Sequence, residues 1–212
     1  MENSQGEHLG LTAEHGLSFF IENDKSKVIF DMGQGPNFLT NARKMGIDPA
    51  TAEVVALSHG HYDHTGGFRS LVDAGFRGKV VTGKGFFDSK YGTDGISMEF
   101  LGNDFQESYL GENGLEHMVV DVEKREIAPG VFALSCFRRT TPSEIPNPRF
   151  LVERGGKFEI DDFGDEICLA VAIKGGYALI LGCSHPGIEN ILRSAKANLD
   201  EPIKVVIGGT HL

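Results

Sequence analysis

Four side chains able to bind a metal fall within six residues of this sequence: His59, His61, Asp63 and His64, in the run Ser58-His59-Gly60-His61-Tyr62-Asp63-His64. Imidazole and carboxylate are common nitrogen and oxygen ligands of divalent first-row metals. In extended backbone, residues two apart face the same side, so His59 and His61 point together. A turn after them brings Asp63 and His64 to a neighbouring point. One loop could thus hold two metal ions side by side, each with a position open for water. Gly60, Gly66 and Gly67 supply the backbone freedom such a loop needs. The alternative is a polar loop with coincidental histidines, and the density of donors speaks against it.

The loop needs elements to position it. The apolar run Glu53-Val54-Val55-Ala56-Leu57 immediately precedes it and reads as a short buried strand, which puts the donors at a strand's C-terminal end. Upstream, Leu17 to Ile21 and Lys27 to Phe30 read as a β-hairpin, and Asn37 to Met45 as a helix stopped by Gly46. Downstream, Phe68 to Ala74 reads as a helix and Lys79 to Thr82 as a strand. Gly83 to Gly114 is weakly patterned and reads as a loop, lid or insertion, and Arg138 to Gly156 as a second long loop. Order returns with strands Ile167 to Lys174 and Tyr177 to Leu181, joined at Gly175-Gly176. Ile188, Ile191, Leu192 and Ala195 recur at helical spacing, and Lys204 to Ile207 forms a last strand. Strands interleaved with helices predict a layered architecture.

The 212 residues suit one domain, 1–212. The net charge of -10 disfavours non-specific nucleic-acid binding but leaves room for an anionic substrate, because bound cations reverse the local field. Cys136, Cys168 and Cys183 are odd in number and unevenly spaced, a poor disulfide framework. Met1 to Gly10 lacks the apolar core of a signal peptide, and no segment is apolar enough to span a membrane, so the cytoplasm is the expected compartment.

Ser58 to Gly67 resembles the H-x-H-x-D-H signature of the metallo-β-lactamase superfamily, and Asp31-Met32-Gly33 resembles its first acidic motif. Within it, the sequence is similar to a subfamily of metal-dependent hydrolases whose further motifs stand here at Glu14 to Ser18, Gly182 to Asn190 and Gly208 to Leu212. Some members bear the name dihydropterin ribofuranosyl-aminobenzene phosphate synthase, which implies a methanopterin-type pathway. The resemblance spans the chain apart from Gly83 to Gly114.

The resemblance implies an α+β fold, a four-layer αββα sandwich with the metal site at one edge between its sheets. It implies one or two divalent transition metal ions, zinc first, with iron or manganese as alternatives. His59 and His61 match ligands of the first metal, and Asp63 and His64 ligands of the second. His185, after a strand end, is the next ligand, and His211 a ligand or a substrate contact. Cys183 stands where most of the superfamily has a bridging aspartate. It reads either as a thiolate ligand or as a small buried residue facing away. The histidine expected before Gly182 is missing, and Asp165 and Glu166 occupy that region as candidate replacements. Asp31 is expected to hydrogen-bond a ligand histidine and fix its tautomer. Asp63 would also orient the nucleophile, and His15 reads either as lining the substrate pocket or as a surface histidine. Arg138 and Arg139 read either as a clamp for an anionic group or as solvated charges, and His8 and His117 carry no role.

The implied reaction is hydrolysis of a small molecule by a metal-activated water, with ester, lactone, thioester, phosphodiester and lactam all fitting. Two rivals remain: a di-iron oxidoreductase or oxygen-binding protein on the same fold, and a non-catalytic metal-binding relative. The subfamily continues beyond Gly-Gly-x-His-Leu to a closing strand and helix, so the domain is expected to lack them. The expected consequence is a homo-oligomer that covers the open sheet edge, or a weak second metal.

Overall fold

The computed structural model describes residues 10–211. His8, the polar segment 1–9 and Leu212 lie outside the described residues. In chain order the strands are β1 (Phe19–Asn23), β2 (Ser26–Phe30), β3 (Val54–Ala56), β4 (Lys79–Gly83), β5 (Ser89–Thr93), β6 (Met98–Phe100) and β7 (Glu116–Val120). They continue with β8 (Lys124–Ala128), β9 (Val131–Leu134), β10 (Phe150–Arg154), β11 (Lys157–Ile160), β12 (Cys168–Ile173), β13 (Gly176–Leu181) and β14 (Ile203–Gly208). The helices are α1 (Asn37–Lys44), α2 (Tyr62–Thr65), α3 (Phe68–Asp73), α4 (Glu107–Glu112) and α5 (Ile188–Asn198). The chain forms two compact units. One runs up to Leu57 and adds His61–Val81 and Asn103–Met118; the other holds Ser58–Gly60, Thr82–Gly102 and the chain from Val119 on.

The first unit is built on the sheet β1-β2-β3-β4-β7. β1 and β2 pair antiparallel around a tight turn, where the Asn23 side chain accepts from the amides of Lys25 and Ser26 at 2.8 and 2.9 Å. β2, β3 and β4 run parallel, and their Val, Ile and Phe side chains are buried almost without exception. Such continuous apolar runs are what a parallel sheet covered on both faces requires. The Leu57 amide donates to Val81 at 2.9 Å, which extends the pairing one residue past β3. The chain then turns, and α2 begins at Tyr62, so the donor loop caps the carboxyl end of a buried parallel strand. Ligand sites concentrate at such strand ends.

The second unit contains the sheet β14-β13-β12-β9-β8 and a four-stranded antiparallel sheet, β11-β10-β5-β6. β12 and β13 form the expected hairpin, with Gly175 at φ 76°. β13 and β14 are parallel and joined through α5. That helix lays Ile191 and Ala195 on Leu134, Cys168, Ala170, Tyr177, Leu179 and Leu181. The crossover therefore rests on a dry core, and the turn between β13 and α5 carries Cys183 and His185.

The two stretches expected to be loops are corrected by this sheet. Gly83 to Gly114 contains β5, β6 and α4, and Arg138 to Gly156 contains β10. The physical reason is visible in the burial: β5 alternates as a half-buried strand, but the residues it buries are Lys90 and Gly92. β11 is only four residues long and exposed throughout, so the alternation of Phe158 and Ile160 is too short to mark a strand. Among the described residues, no helix is long and apolar enough to cross a membrane.

Candidate metal centre

In the first unit, four sequence-predicted residues meet. His64 is fully buried, and its Nδ1 lies 2.6 Å from Asp31 Oδ2. Asp31 sits in the left-handed region at φ 57°, its amide donating to Ala56 at 3.1 Å, while the Met32 amide donates to the His64 carbonyl at 2.8 Å. A carboxylate on Nδ1 fixes the tautomer that presents Nε2 as the ligand nitrogen. The contact between Asp31 and a motif histidine is the one the sequence reading expected. Asp63 Oδ2 lies 3.5 Å from His64 Nε2 and 3.3 Å from His15 Nε2. Burial pushes the Asp63 carboxyl up, but the hydrogen bond from His64 and the charges of His64, His61 and His15 outweigh it and hold the group at about 2. His15 itself is half exposed and reaches the motif aspartate from the solvent side.

In the second unit, three imidazoles gather. Ser58 Oγ and His59 Nδ1 are 2.9 Å apart, which occupies one nitrogen of the His59 ring. The ring centroids of His59 and His185 are 4.8 Å apart at 75°, and those of His185 and His211 are 4.6 Å apart at 76°. Phe163 stacks on His185 at 3.8 Å and 13°. The turn that carries His185 is held by Glu166, whose two oxygens accept from the amides of Ser184 and His185 at 2.6 and 2.9 Å. Asp165 accepts the Gly60 amide at 2.9 Å and pairs with Lys90 at 2.9 Å. These contacts correct the reading of Asp165 and Glu166 as replacement ligands: both carboxylates fasten the backbone beside the histidines.

Among the described residues, candidate metal donors fall in both units: His61 and His64 in the first, and His59, His185 and Cys183 in the second. Cys183 is half-buried and in no disulfide, so the thiolate reading keeps a place. The donor chemistry fits a divalent transition metal. Imidazoles packed this closely repel one another when protonated, and a cation requires them neutral.

Other candidates fall elsewhere. Arg138 is exposed, 3.7 Å from Glu123. Arg139 donates to the carbonyls of Glu144, Pro186, Asp162 and His185 at 3.0–3.4 Å, so it ties the 138–149 segment to the His185 turn and does not act as an anion clamp. Glu144 caps α5 through the amides of Glu189 and Asn190. His117 pairs with Glu107 at 3.2 Å. Sequence reasoning missed Lys90, Asp161 and Phe163. The acidic run from Asp161 to Glu166 was the one available signal for this wall.

Comparison with known proteins shows the family. The model of the metallo-β-lactamase superfamily matches residues 11–132. A solved structure described as Tm1679, a metal-dependent hydrolase of the β-lactamase superfamily, is 36% identical with a TM-score of 0.82, covering 99% of this chain and 74% of its own. The 7,8-dihydropterin-6-methyl-4-(β-D-ribofuranosyl)-aminobenzene-5'-phosphate synthase of Methanocaldococcus jannaschii is 28% identical over all of this chain and 75% of its own length. An uncharacterized protein of the same organism is 32% identical over 94% of this chain and 73% of its own. A metallo-β-lactamase of Cronobacter sakazakii shares the fold at 15% identity and a TM-score of 0.54, covering 93% of this chain and 75% of its own.

Proposed function

Because this chain belongs to the metallo-β-lactamase superfamily and has its α+β fold, we propose that it is a metal-dependent hydrolase acting on an ester, lactone or phosphoester of a small molecule. The observation that carries the reading is the imidazole cluster of His59, the first histidine of the H-x-H-x-D-H motif, with His185 and His211, centroids 4.8 and 4.6 Å apart. His59, His61 and His185 would hold one divalent cation. Asp63 and His64, with His211 or Cys183, would hold a second. Zinc is the first choice, with iron or manganese as alternatives. A divalent cation supplies Lewis acidity there, lowering the pKa of water and polarising the bond to be cleaved.

The chain's own residues do the rest. Asp63 is ionised across the neutral range and offers an acceptor that orients the attacking water. Asp31 keeps His64 in one tautomer. His15, half exposed and 3.3 Å from Asp63, would contact the substrate. The net charge of -10 argues against nucleic acid as a partner; a small-molecule substrate and the cytoplasm as compartment are part of the reading we infer.

A second reading has its own support. The archaeal relative that matches the whole chain bears a synthase's name, so the same site could join fragments instead of cleaving them. Both readings meet one experiment. Protein purified without added metal is analysed for its elements and then incubated with ester, lactone and phosphodiester substrates. One to two equivalents of a transition metal and turnover of one substrate class support the hydrolase. Full metal content with no hydrolysis in any class favours the synthase, and a metal-free protein overturns both.

A further inference from the structure

Lys90 is a charged side chain at a core position. It lies on β5 and is 1% exposed. Its ammonium donates to Asp161 Oδ2 at 2.8 Å and to Asp165 Oδ1 at 2.9 Å, and both carboxylates are as deeply buried. It also lies 5.3 Å from the Phe163 ring centroid. Taking an ammonium and two carboxylates out of water is strongly unfavourable, and apolar residues of the same volume are often as stable or more so. The cluster therefore points to a task other than holding the fold together.

The remaining oxygens of the two carboxylates show what that task is. Asp165 Oδ2 accepts the amide of Gly60, the residue between His59 and His61, at 2.9 Å. Two residues on, the Ile167 amide donates to Ser58 at 2.7 Å. Asp161 Oδ1 accepts the amide of Phe163 at 2.8 Å. Phe163 in turn stacks on His185 and stands edge-on to His59, with centroids 6.1 Å apart. One buried cation thus orients two anions. One anion fastens the loop between two histidines, and the other fastens the ring against which a third is stacked.

We propose that Lys90 is a positioning residue for the metal centre, setting the His59–His61 loop through Asp165 and the plane of His185 through Asp161 and Phe163. The inference rests on the reading of those histidines as metal ligands. Partners of ligand residues commonly contribute about 10- to 100-fold in metal affinity. Lys90 acts one layer further out, yet it governs two such partners at once.

The test uses Lys90→Met, Asp165→Asn and the double variant. One ammonium and two carboxylates leave the cluster one negative charge. Lys90→Met leaves two, and the double variant returns it to one. In the double variant the oxygen of the introduced carboxamide is free to accept from Gly60, while its NH2 group faces the new apolar side chain. Two readouts are taken on protein shown to be folded by circular dichroism: hydrogen exchange of the Gly60 amide in metal-free protein, and zinc affinity by competition with a chelator. Lys90→Met should speed Gly60 exchange about tenfold or more and weaken zinc about 10- to 100-fold. Asp165→Asn alone, which sets an amide donor against either Lys90 or Gly60, should also speed Gly60 exchange. The double variant should recover both readouts to within about threefold of the parent, a rescue that general loss of stability would not produce. Wild-type Gly60 protection in either single variant would overturn the proposal, as would a double variant no better than Lys90→Met. If Lys90→Met fails to fold, the double variant and Asp165→Asn decide alone. A parent chain that binds no zinc would refute the functional reading and leave the Gly60 exchange result standing on its own.

Discussion

Asp31 has a backbone conformation that a non-glycine residue rarely adopts, at φ 57°, and its carboxylate is buried against His64. That combination marks it as the residue whose loss should separate metal binding from folding. Asp31→Asn keeps the shape and replaces the anion with an amide. We expect it to weaken metal at the His64 centre about 10- to 100-fold, read by chelator competition, while the far-ultraviolet spectrum stays unchanged. Equal affinity in the variant would contradict the role given to Asp31. The pH dependence follows from Asp63. Its carboxyl is held at about 2, below the ordinary 3.8, so its folded value is depressed. The stability it contributes is complete above the ordinary value and is lost as pH falls through about 2. Asp63 is therefore already ionised where imidazoles titrate, near about pH 6.5. Zinc occupancy should fall as pH drops through that range with more than one proton taken up per metal lost. Occupancy that holds down to about pH 4 would contradict ligation by several histidines.

At the scale of elements, the segment before β1 presses directly on the motif turn. Gly16 has φ 97°, and a Cβ there would overlap the Asp63 carbonyl. The same segment is pinned by the Gly33 amide on Leu17 at 2.8 Å and the Gln34 amide on His15 at 3.2 Å. Gly16→Ala must therefore move His15 and Asp63 apart or unpin the segment. It should cost about 1–3 kcal/mol of stability in thermal unfolding and weaken metal binding as well. A variant with parental stability and affinity would show that the segment yields freely. Much of this was legible in the residues. β3 read as a buried strand because its run is apolar without a break, and the loop after it was marked by four donors in six residues. α5 was marked by Ile188, Ile191, Leu192 and Ala195. What stayed hidden had physical causes. Lys90 holds a core position, so β5 lost its apolar alternation, and β11, four residues long and exposed, offers only Phe158 and Ile160 as a signal. Asp165 and Glu166 looked like ligands because a carboxylate that binds a metal and one that binds a backbone amide are the same residue in sequence.

At the scale of the molecule, the sheet in the second unit ends on β14, and Val205, Val206 and Ile207 are 42–45% exposed there. An edge strand with apolar side chains on both faces invites pairing with another chain. We expect light scattering to show self-association that Val206→Lys reduces without lowering the unfolding temperature. A parent chain that stays monomeric at high concentration would set that expectation aside. The proposed metal ligands begin with His59 and His61, and metal stoichiometry reads their role. The parent chain and the His59→Ala/His61→Ala double variant are purified without added metal, shown to be folded, and measured by elemental analysis. We expect one to two equivalents of a transition metal in the parent and none above background in the double variant. An unchanged stoichiometry in the folded double variant would contradict that role.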